Sequence, residues 1–339
     1  MATIKDIANK TGLGLATISK YLNGGNVLDK NRVAIEKSIS ELGFTVNEFA
    51  RGLKTNKSHT IGVVIPELSL VFTTSIITII EDILRQNGYG TIICDCRTDE
   101  VREKQAVTFL LNKRVDGIIN MPVSKNGRHL GPALKKNIPI VLFDRMIHSL
   151  EDKVSAVVIN NAIVSYEAVK MLVDAGHKNI GIILGPSDIF TAIKRLEGYN
   201  RALIESGITP QKKFIVYSDY SIQGGYDAMK ILLGLNQISA VFVTNYDMTL
   251  GAVVCLNELN ISLPNQLSFI GFDNLDLSQL VKPKLTMVSQ PLVNIGERVA
   301  EILLNQFSGS LEKQTVVLPA TIQLGGSVGV LNSFHEFFD

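Results

Sequence analysis

Tryptophan is missing from this chain of 339 residues, and cysteine appears only three times, as Cys94, Cys96 and Cys255. An odd count containing a C-x-C pair builds neither a disulfide framework nor a zinc site. The expected reading is small buried residues near a strand end. The five histidines (His59, His129, His148, His177, His335) form no H-x-x-x-H pair, so metal catalysis has no support. No apolar run approaches the roughly 18–20 residues that span a bilayer. The opening "MATIKDIANK" lacks a basic stretch followed by an apolar one. A signal peptide is therefore not expected, and the cytoplasm is the expected location. No nucleophile–base pair suggests an enzyme.

What is present is ordinary globular material, 46% hydrophobic and 19% charged, long enough for two or three domains. The net charge of +1 hides an asymmetry. Residues 1–60 hold nine Lys/Arg against five Asp/Glu, while the remainder holds 24 against 27. A small basic head on a slightly acidic body suggests an anionic partner for the head, such as nucleic acid.

Apolar residues in the head recur at helical spacing. Ile4, Ile7 and Ala8 share one face, Leu15, Ile18 and Leu22 a second, and Ile35, Ile39 and Leu42 a third. The pattern predicts helices over 4–10, 15–22 and 30–42, separated by turns at Thr11–Gly14 and Asn23–Val27. "NEFARGLK" (47–54) predicts one more short helix, and "KTNKSH" (54–59) a polar linker. From Thr60 the pattern changes to short β-branched runs alternating with helical stretches. The strand candidates are 60–66, 91–95, 117–121, 139–144 and 156–160, then 180–185, 214–217, 240–244, 267–273, 315–319 and 321–325. Two such series predict two doubly wound parallel-sheet subdomains, with ligands outside the strands' carboxyl ends and in the cleft between subdomains.

The stretch "KTGLGLATISKYLNGG" (10–25) poses a choice. Gly12-Leu13-Gly14 resembles the start of a dinucleotide fingerprint. That motif must follow a strand, and here a helical pattern precedes it, with Thr17 at the third glycine position. The competing reading is helix–turn–helix. Gly12 then ends the first helix at positive φ and Gly14 caps the second. The second helix would present Leu15, Ala16, Thr17, Ser19 and Lys20 to a major groove. A purely structural three-helix bundle would show the same pattern.

Several stretches resemble one family. "TIKDIANKTGLGLATISKYLNG" (3–24) is similar to the N-terminal signature of the lactose-repressor/galactose-repressor family of bacterial transcription regulators. "ELGFTVNEFARGLKTNKSHTIGVVIP" (41–66), "VDGII" (115–119), "RLEGYNRAL" (195–203), "MTLGAVVCLNEL" (248–259), "LSFIGFDN" (267–274) and "PKLTMVSQP" (283–291) also match. The resemblance runs from about residue 2 to 329.

It implies a helix-turn-helix head (1–46), a hinge helix and linker (47–59), and a core similar to periplasmic sugar-binding proteins. The N-terminal core subdomain would comprise 60–160 plus 290–319. The C-terminal one would comprise 161–289 plus 320–332, with a tail at 333–339. The resemblance also implies homodimers, or dimers of dimers, on near-palindromic double-stranded operator DNA.

In the family, positions matching Leu15, Ala16 and Lys20 read bases. Thr17, Ser19, Asn23 and Asn31 match positions that touch the backbone or brace the head. Leu53 matches a minor-groove wedge on a hinge helix that also carries Lys54. The effector positions match Phe72, Asp144, Thr191, Arg195, Tyr220, Asn245, Asp273 and Gln290. These residues suit a hydroxyl-rich ligand, and Arg195 can also clamp a carboxylate or phosphate.

The chain departs from the family at several points. Lys20 stands where Arg is common, Gly14 and Gly52 where Ser is, and Ile193 where Arg is. Leu70-Val71-Phe72-Thr73, Asn160-Asn161, Asn245-Tyr246 and Gly326-Ser327 also differ from the usual residues.

The expected function is a DNA-binding repressor of a carbohydrate-use operon, controlled by a sugar-like effector and without a cofactor. The alternative is a global catabolite regulator whose co-effector is a phosphorylated carrier protein docked on the N-terminal subdomain. A sugar-binding transport protein would carry a signal peptide and no helix-turn-helix.

Overall fold

The computed structural model describes residues 2–22, 24–44, 57–273, 275–310 and 312–331. The chain separates into two units, Met1–His59 and Thr60–Asp339. The expected hinge helix with Leu53 and Lys54, the turn residue Asn23, and the 333–339 tail lie outside the described residues.

The first unit holds three helices, α1 (Ile4–Thr11), α2 (Leu15–Leu22) and α3 (Asp29–Leu42). A capping box starts α1: the Thr3 hydroxyl accepts from the Asp6 backbone N–H, and the Asp6 carboxylate accepts from the Thr3 N–H at 2.8 Å. Gly12, at φ 68°, ends α1 by donating its N–H to the Ala8 carbonyl. The Gly14 carbonyl then accepts from Thr17 and Ile18, opening α2. The glycine pair is thus the turn between two helices. One isoleucine from each helix (Ile7, Ile18, Ile35) is fully buried, and Ile4, Ala8, Leu22, Ile39 and Leu42 pack around them. Leu15 differs from its expected place in the apolar stripe: it is 46% exposed. It occupies the first position of α2, beyond the single layer that three short helices can enclose.

The second unit holds the strands β1 (Thr60–Ile65), β2 (Gly90–Asp95), β3 (Gly117–Asn120), β4 (Ile140–Phe143), β5 (Ser155–Ile159), β6 (Ile180–Leu184), β7 (Ile215–Tyr217), β8 (Ala240–Val243), β9 (Ser268–Phe272), β10 (Thr286–Ser289), β11 (Thr315–Leu318) and β12 (Thr321–Gln323). Between them run α4 (Val71–Gln86), α5 (Glu100–Asn112), α6 (Gly131–Lys135), α7 (Asn161–Asp174), α8 (Phe190–Glu205), α9 (Ile222–Gly234), α10 (Tyr246–Glu258), α11 (Leu275–Leu280) and α12 (Leu292–Phe307). One sheet has the order β11-β5-β4-β3-β1-β2, the other β12-β10-β9-β8-β6-β7. The inner strands are buried along nearly their whole length, as expected for parallel strands covered by helices on both faces.

Two features depart from the sequence reading. β10 had no strand candidate, because its four residues lie in a proline-bounded segment too short to show a period. β12 pairs antiparallel with β10, whereas all other pairs in both sheets are parallel. The cause is the two-residue link Pro319-Ala320, which joins β11 in one sheet to β12 in the other. A parallel neighbour within one sheet needs a crossover of a dozen or more residues. A strand that leaves the carboxyl end of one sheet and runs straight into the other must oppose its new neighbours.

The chain passes between the sheets three times. It goes from β5 to α7 at Asn160, from β10 to α12 at Gln290-Pro291, and from β11 to β12 at Pro319-Ala320. The first and third passages are tied together, since the Asn160 side chain accepts from the Ala320 N–H at 2.8 Å.

Candidate functional site

The carboxyl ends of both sheets converge on a cavity of about 410 Å³. All eight expected effector positions line it: Phe72, Asp144, Thr191, Arg195, Tyr220, Asn245, Asp273 and Gln290. They come from seven separate connections, which explains why a parallel fold is needed to assemble them. Asp144 follows β4, Tyr220 follows β7, Asn245 follows β8, Asp273 follows β9 and Gln290 follows β10. Phe72 sits in the first turn of α4, and Thr191 and Arg195 lie on α8.

Three of these residues hold a left-handed backbone: Asp144 at φ 63°, Asp273 at φ 63° and Tyr220 at φ 66°. Aspartate tolerates that region because its short side chain bonds locally; a tyrosine there is strained. Such strain persists where the surroundings over-determine it, as at functional sites. At Tyr220 the surroundings are visible. A Cβ on Gly185 would lie 1.9 Å from the Tyr220 ring, so only glycine lets the ring rest against the β6–α8 loop. The Tyr220 hydroxyl is 3.0 Å from the Thr191 hydroxyl.

Arg195 is 4% exposed and largely committed to the protein. Its Nε donates to Asn161 Oδ1 at 2.8 Å, and one terminal nitrogen donates to the Thr244 carbonyl. Its guanidinium lies 4.0 Å from the centre of the Phe272 ring. The expected clamp on a ligand carboxylate or phosphate would have to use the remaining terminal nitrogen, because the Nε edge of the fork is occupied. Asn161, at one of the departures from the family pattern, is the residue that occupies it.

Asp273 accepts from Gln290 twice, through the side-chain amide at 2.7 Å and the backbone N–H at 3.2 Å. Burial nevertheless pushes its carboxyl up to about 7, with Arg195 and Gln290 pulling the other way. Burial also raises Asp144, opposed by Arg145 and Arg195. Asn245 Oδ1 caps α10 by accepting from the Met248 N–H at 3.1 Å, which leaves its amide group for the cavity.

The sequence reading missed Glu67, Arg145 and Asp247, which line the same cavity, as does Tyr246 at one of the departures from the family pattern. Glu67 and Arg145 stand just beyond the carboxyl ends of β1 and β4. The strand-end rule could have singled them out. Arg145 donates to the Pro122 carbonyl at 3.1 Å, approaches Asp144 at 3.5 Å, and lies 5.7 Å from the Tyr220 ring centre.

In the head, Leu15, Ala16 and Lys20 are exposed along α2, while Thr17, Ser19 and Asn31 are half-buried. Ala16, Thr17, Lys20 and Asn31 border one shallow concavity of about 590 Å³. Exposed side chains at the start of the second helix are what a major-groove reader presents.

The cysteines are buried or half-buried, and burial pushes the Cys96 thiol up to about 12. Among the described residues no group of three or more His, Cys, Asp or Glu is placed to hold a metal ion, and no helix is long and apolar enough to cross a membrane.

Comparison with known proteins supplies relatives over nearly the whole length. A family profile described as "Periplasmic binding protein-like domain" matches residues 169–328. Catabolite control protein A of Priestia megaterium is 34% identical over 326 residues, covering 95% of this chain and 97% of that protein. The HTH-type transcriptional repressor CytR of Escherichia coli (strain K12) is 34% identical over 311 residues, covering 91% and 90%. Among solved structures, the lac repressor dimer bound to operator and the anti-inducer ONPF matches with a TM-score of 0.86 and 25% identity, covering 97% of this chain and 99% of that one. These relatives are transcriptional regulators rather than enzymes.

Proposed function

The chain belongs to the lactose-repressor/galactose-repressor family of DNA-binding transcriptional regulators, and from that premise we propose that it represses a carbohydrate-use operon under the control of a sugar-like effector held in the 410 Å³ cleft. The observation that carries this reading is the convergence of eight side chains, spread from Phe72 to Gln290, on one polar cavity between two sheets. The chain acts as a homodimer, or a dimer of dimers, with one α2 helix per half-site of a near-palindromic operator. Leu15, Ala16 and Lys20 read base edges. Lys20, a point charge without the planar fork of arginine, discriminates bases less sharply. Thr17, Ser19, Asn23 and Asn31 hold the backbone, and Leu53 and Lys54 engage the operator centre.

Regulation follows from the three passages between the sheets. A ligand in the cleft contacts both subdomains, so it favours one relative orientation over another. It shifts the equilibrium only by the difference in its affinity for the two states.

Selection of bound duplexes from a random library should return a near-palindrome. Affinity for it should fall steeply between about 50 and 200 mM salt, through counterion release. A sugar that raises the melting temperature of the full chain should also change operator affinity. Salt-independent binding would overturn the DNA interface, and a stabilising sugar with no effect on operator affinity would overturn the effector reading.

The likeness to Catabolite control protein A favours a second reading, a global catabolite regulator with a phosphorylated carrier protein as co-effector. Operator affinity that responds to such a carrier and to no small molecule would select it.

A further inference from the structure

Charge in the cleft is unbalanced. Glu67, Asp144, Asp219, Asp247 and Asp273 line it, against only Arg145 and Arg195. Arg145 stands 3.5 Å from Asp144 and donates to the Pro122 carbonyl, with its Nε making no hydrogen bond, and Arg195 is bonded to Asn161 and the Thr244 carbonyl. Asp273 is held by Gln290, and Asp219 accepts from the Ser221 hydroxyl and N–H. That leaves Glu67 and Asp247. Glu67 follows β1 in one subdomain, and Asp247 lies in the first turn of α10 in the other. Glu67 accepts only from the Ser69 and Thr98 hydroxyls, and Asp247 has no hydrogen-bonding or ion-pair partner among the described residues. The Glu67 charge also adds to burial in raising the Asp247 carboxyl.

A second observation comes from the opposite side of the cavity. Gln290 is 7% exposed, and its Oε1 has no partner although its Nε2 is bonded to Asp273. A buried acceptor without a donor is costly and calls for a ligand N–H or O–H. The cleft thus offers free donors at the Asn245 amide and Arg145 Nε, and facing them an unsatisfied amide acceptor and two carboxylates, one from each subdomain, that no cation pairs.

We propose that the cleft ligand is a polyhydroxylated molecule bearing an ammonium group, of the amino-sugar class, whose ammonium is clasped by Glu67 and Asp247 from opposite subdomains while a hydroxyl donates to Gln290 Oε1. The inference rests on the cleft being the effector site. It disfavours sugar phosphates and sugar acids, which would bring more negative charge into a cavity lined by five carboxylates and two guanidinium groups.

The test uses the full chain and matched probes: glucosamine, galactosamine and mannosamine, their neutral parents, and the 6-phosphates and uronates of the same sugars. One amino sugar should bind at least about tenfold more tightly than its neutral parent, as a charge-assisted contact does. Its anionic counterparts should produce no thermal shift. The Glu67→Gln/Asp247→Asn double variant should lose that preference, binding the amino sugar no more tightly than its neutral parent. A neutral or anionic probe that binds as well as the amino sugar overturns the inference and leaves the effector cleft intact, as does a double variant that retains the preference.

Should no sugar of any charge shift the melting temperature, the sugar reading of the effector falls and the ligand-free protein decides the charge question. The double variant should then melt roughly 2–4 °C above wild type at low salt, with the difference vanishing near 1 M NaCl as screening removes the repulsion. An unchanged or lower melting temperature overturns the proposal.

Discussion

Asp144 and Asp273 occupy the same place in the two halves of the core, and each is handled differently. Both follow the third strand in their sheet order, β4 and β9. Both stand at φ 63°, and both donate their N–H to the neighbouring strand, Asp144 to Val157 and Asp273 to Val288. In the first half the next residue in sequence, Arg145, supplies a cation. In the second half a neutral amide, Gln290, supplies two hydrogen bonds from across the sheet. The fold repeats the backbone position, while one neighbouring side chain decides how easily the carboxylate is ionised. Arg195 serves both halves, since its charge favours the ionised form of each aspartate.

Removing that shared cation breaks the comparison most severely. Arg195→Ala leaves Asn161 Oδ1 and the Thr244 carbonyl without their donor, Asp273 without a nearby cation and Asp144 with Arg145 alone. It should cost about 3–5 kcal/mol in urea unfolding. A loss under about 1 kcal/mol would show that the two halves do not depend on it.

Titration sharpens the comparison next. The Asp273 carboxyl sits at about 7 in the folded protein and near 4 in the unfolded chain. The folded state therefore binds the proton more tightly. The stability this confers is fully present below about pH 4 and is lost as pH rises through about 7. Asp273→Asn, which resembles the protonated form, should flatten that slope and gain at most about 4 kcal/mol at pH 8. Asp144→Asn should gain less, because Arg145 loses its ion-pair partner. Equal gains in chemical melts at pH 5 and pH 8 would refute the distinction.

Smaller effects separate the halves further. Tyr220→Phe removes the bond to Thr191 on the second side alone and should cost about 1 kcal/mol. Lys125→Ala removes the exposed ion pair with Asp188, which joins the β3 side of the core to the loop before α8. It should cost less than about 1 kcal/mol, and nothing at high salt.

The strands were legible wherever a β-branched run was long enough. β1, β5 and β9 stand within a residue or two of their expected bounds. β10 was not, because four residues between prolines carry too little period. In the head, Ile7, Ile18 and Ile35 were identifiable as core from helical spacing, whereas Leu15 shares that spacing and is exposed. Spacing gives a direction around a helix and says nothing about how far the neighbouring helices extend. In the cleft, the eight family-matched positions do line one cavity, but Glu67, Arg145 and Asp247 had no signal beyond their places after strands or in a helix's first turn.

The sequence alone determined the local elements and the family, because helix caps, glycine turns and β-branched runs act over a few residues. Gly12 had to be a turn once a helix preceded it. The tertiary structure alone decided the charge of the cleft. Glu67 and Asp247 are 180 residues apart in the chain, and only two sheets pointing their carboxyl ends at one another bring both carboxylates to a single cavity. It also decided that Arg195 is engaged by Asn161 and Thr244, since the direction of a guanidinium depends on which acceptors the fold places around it.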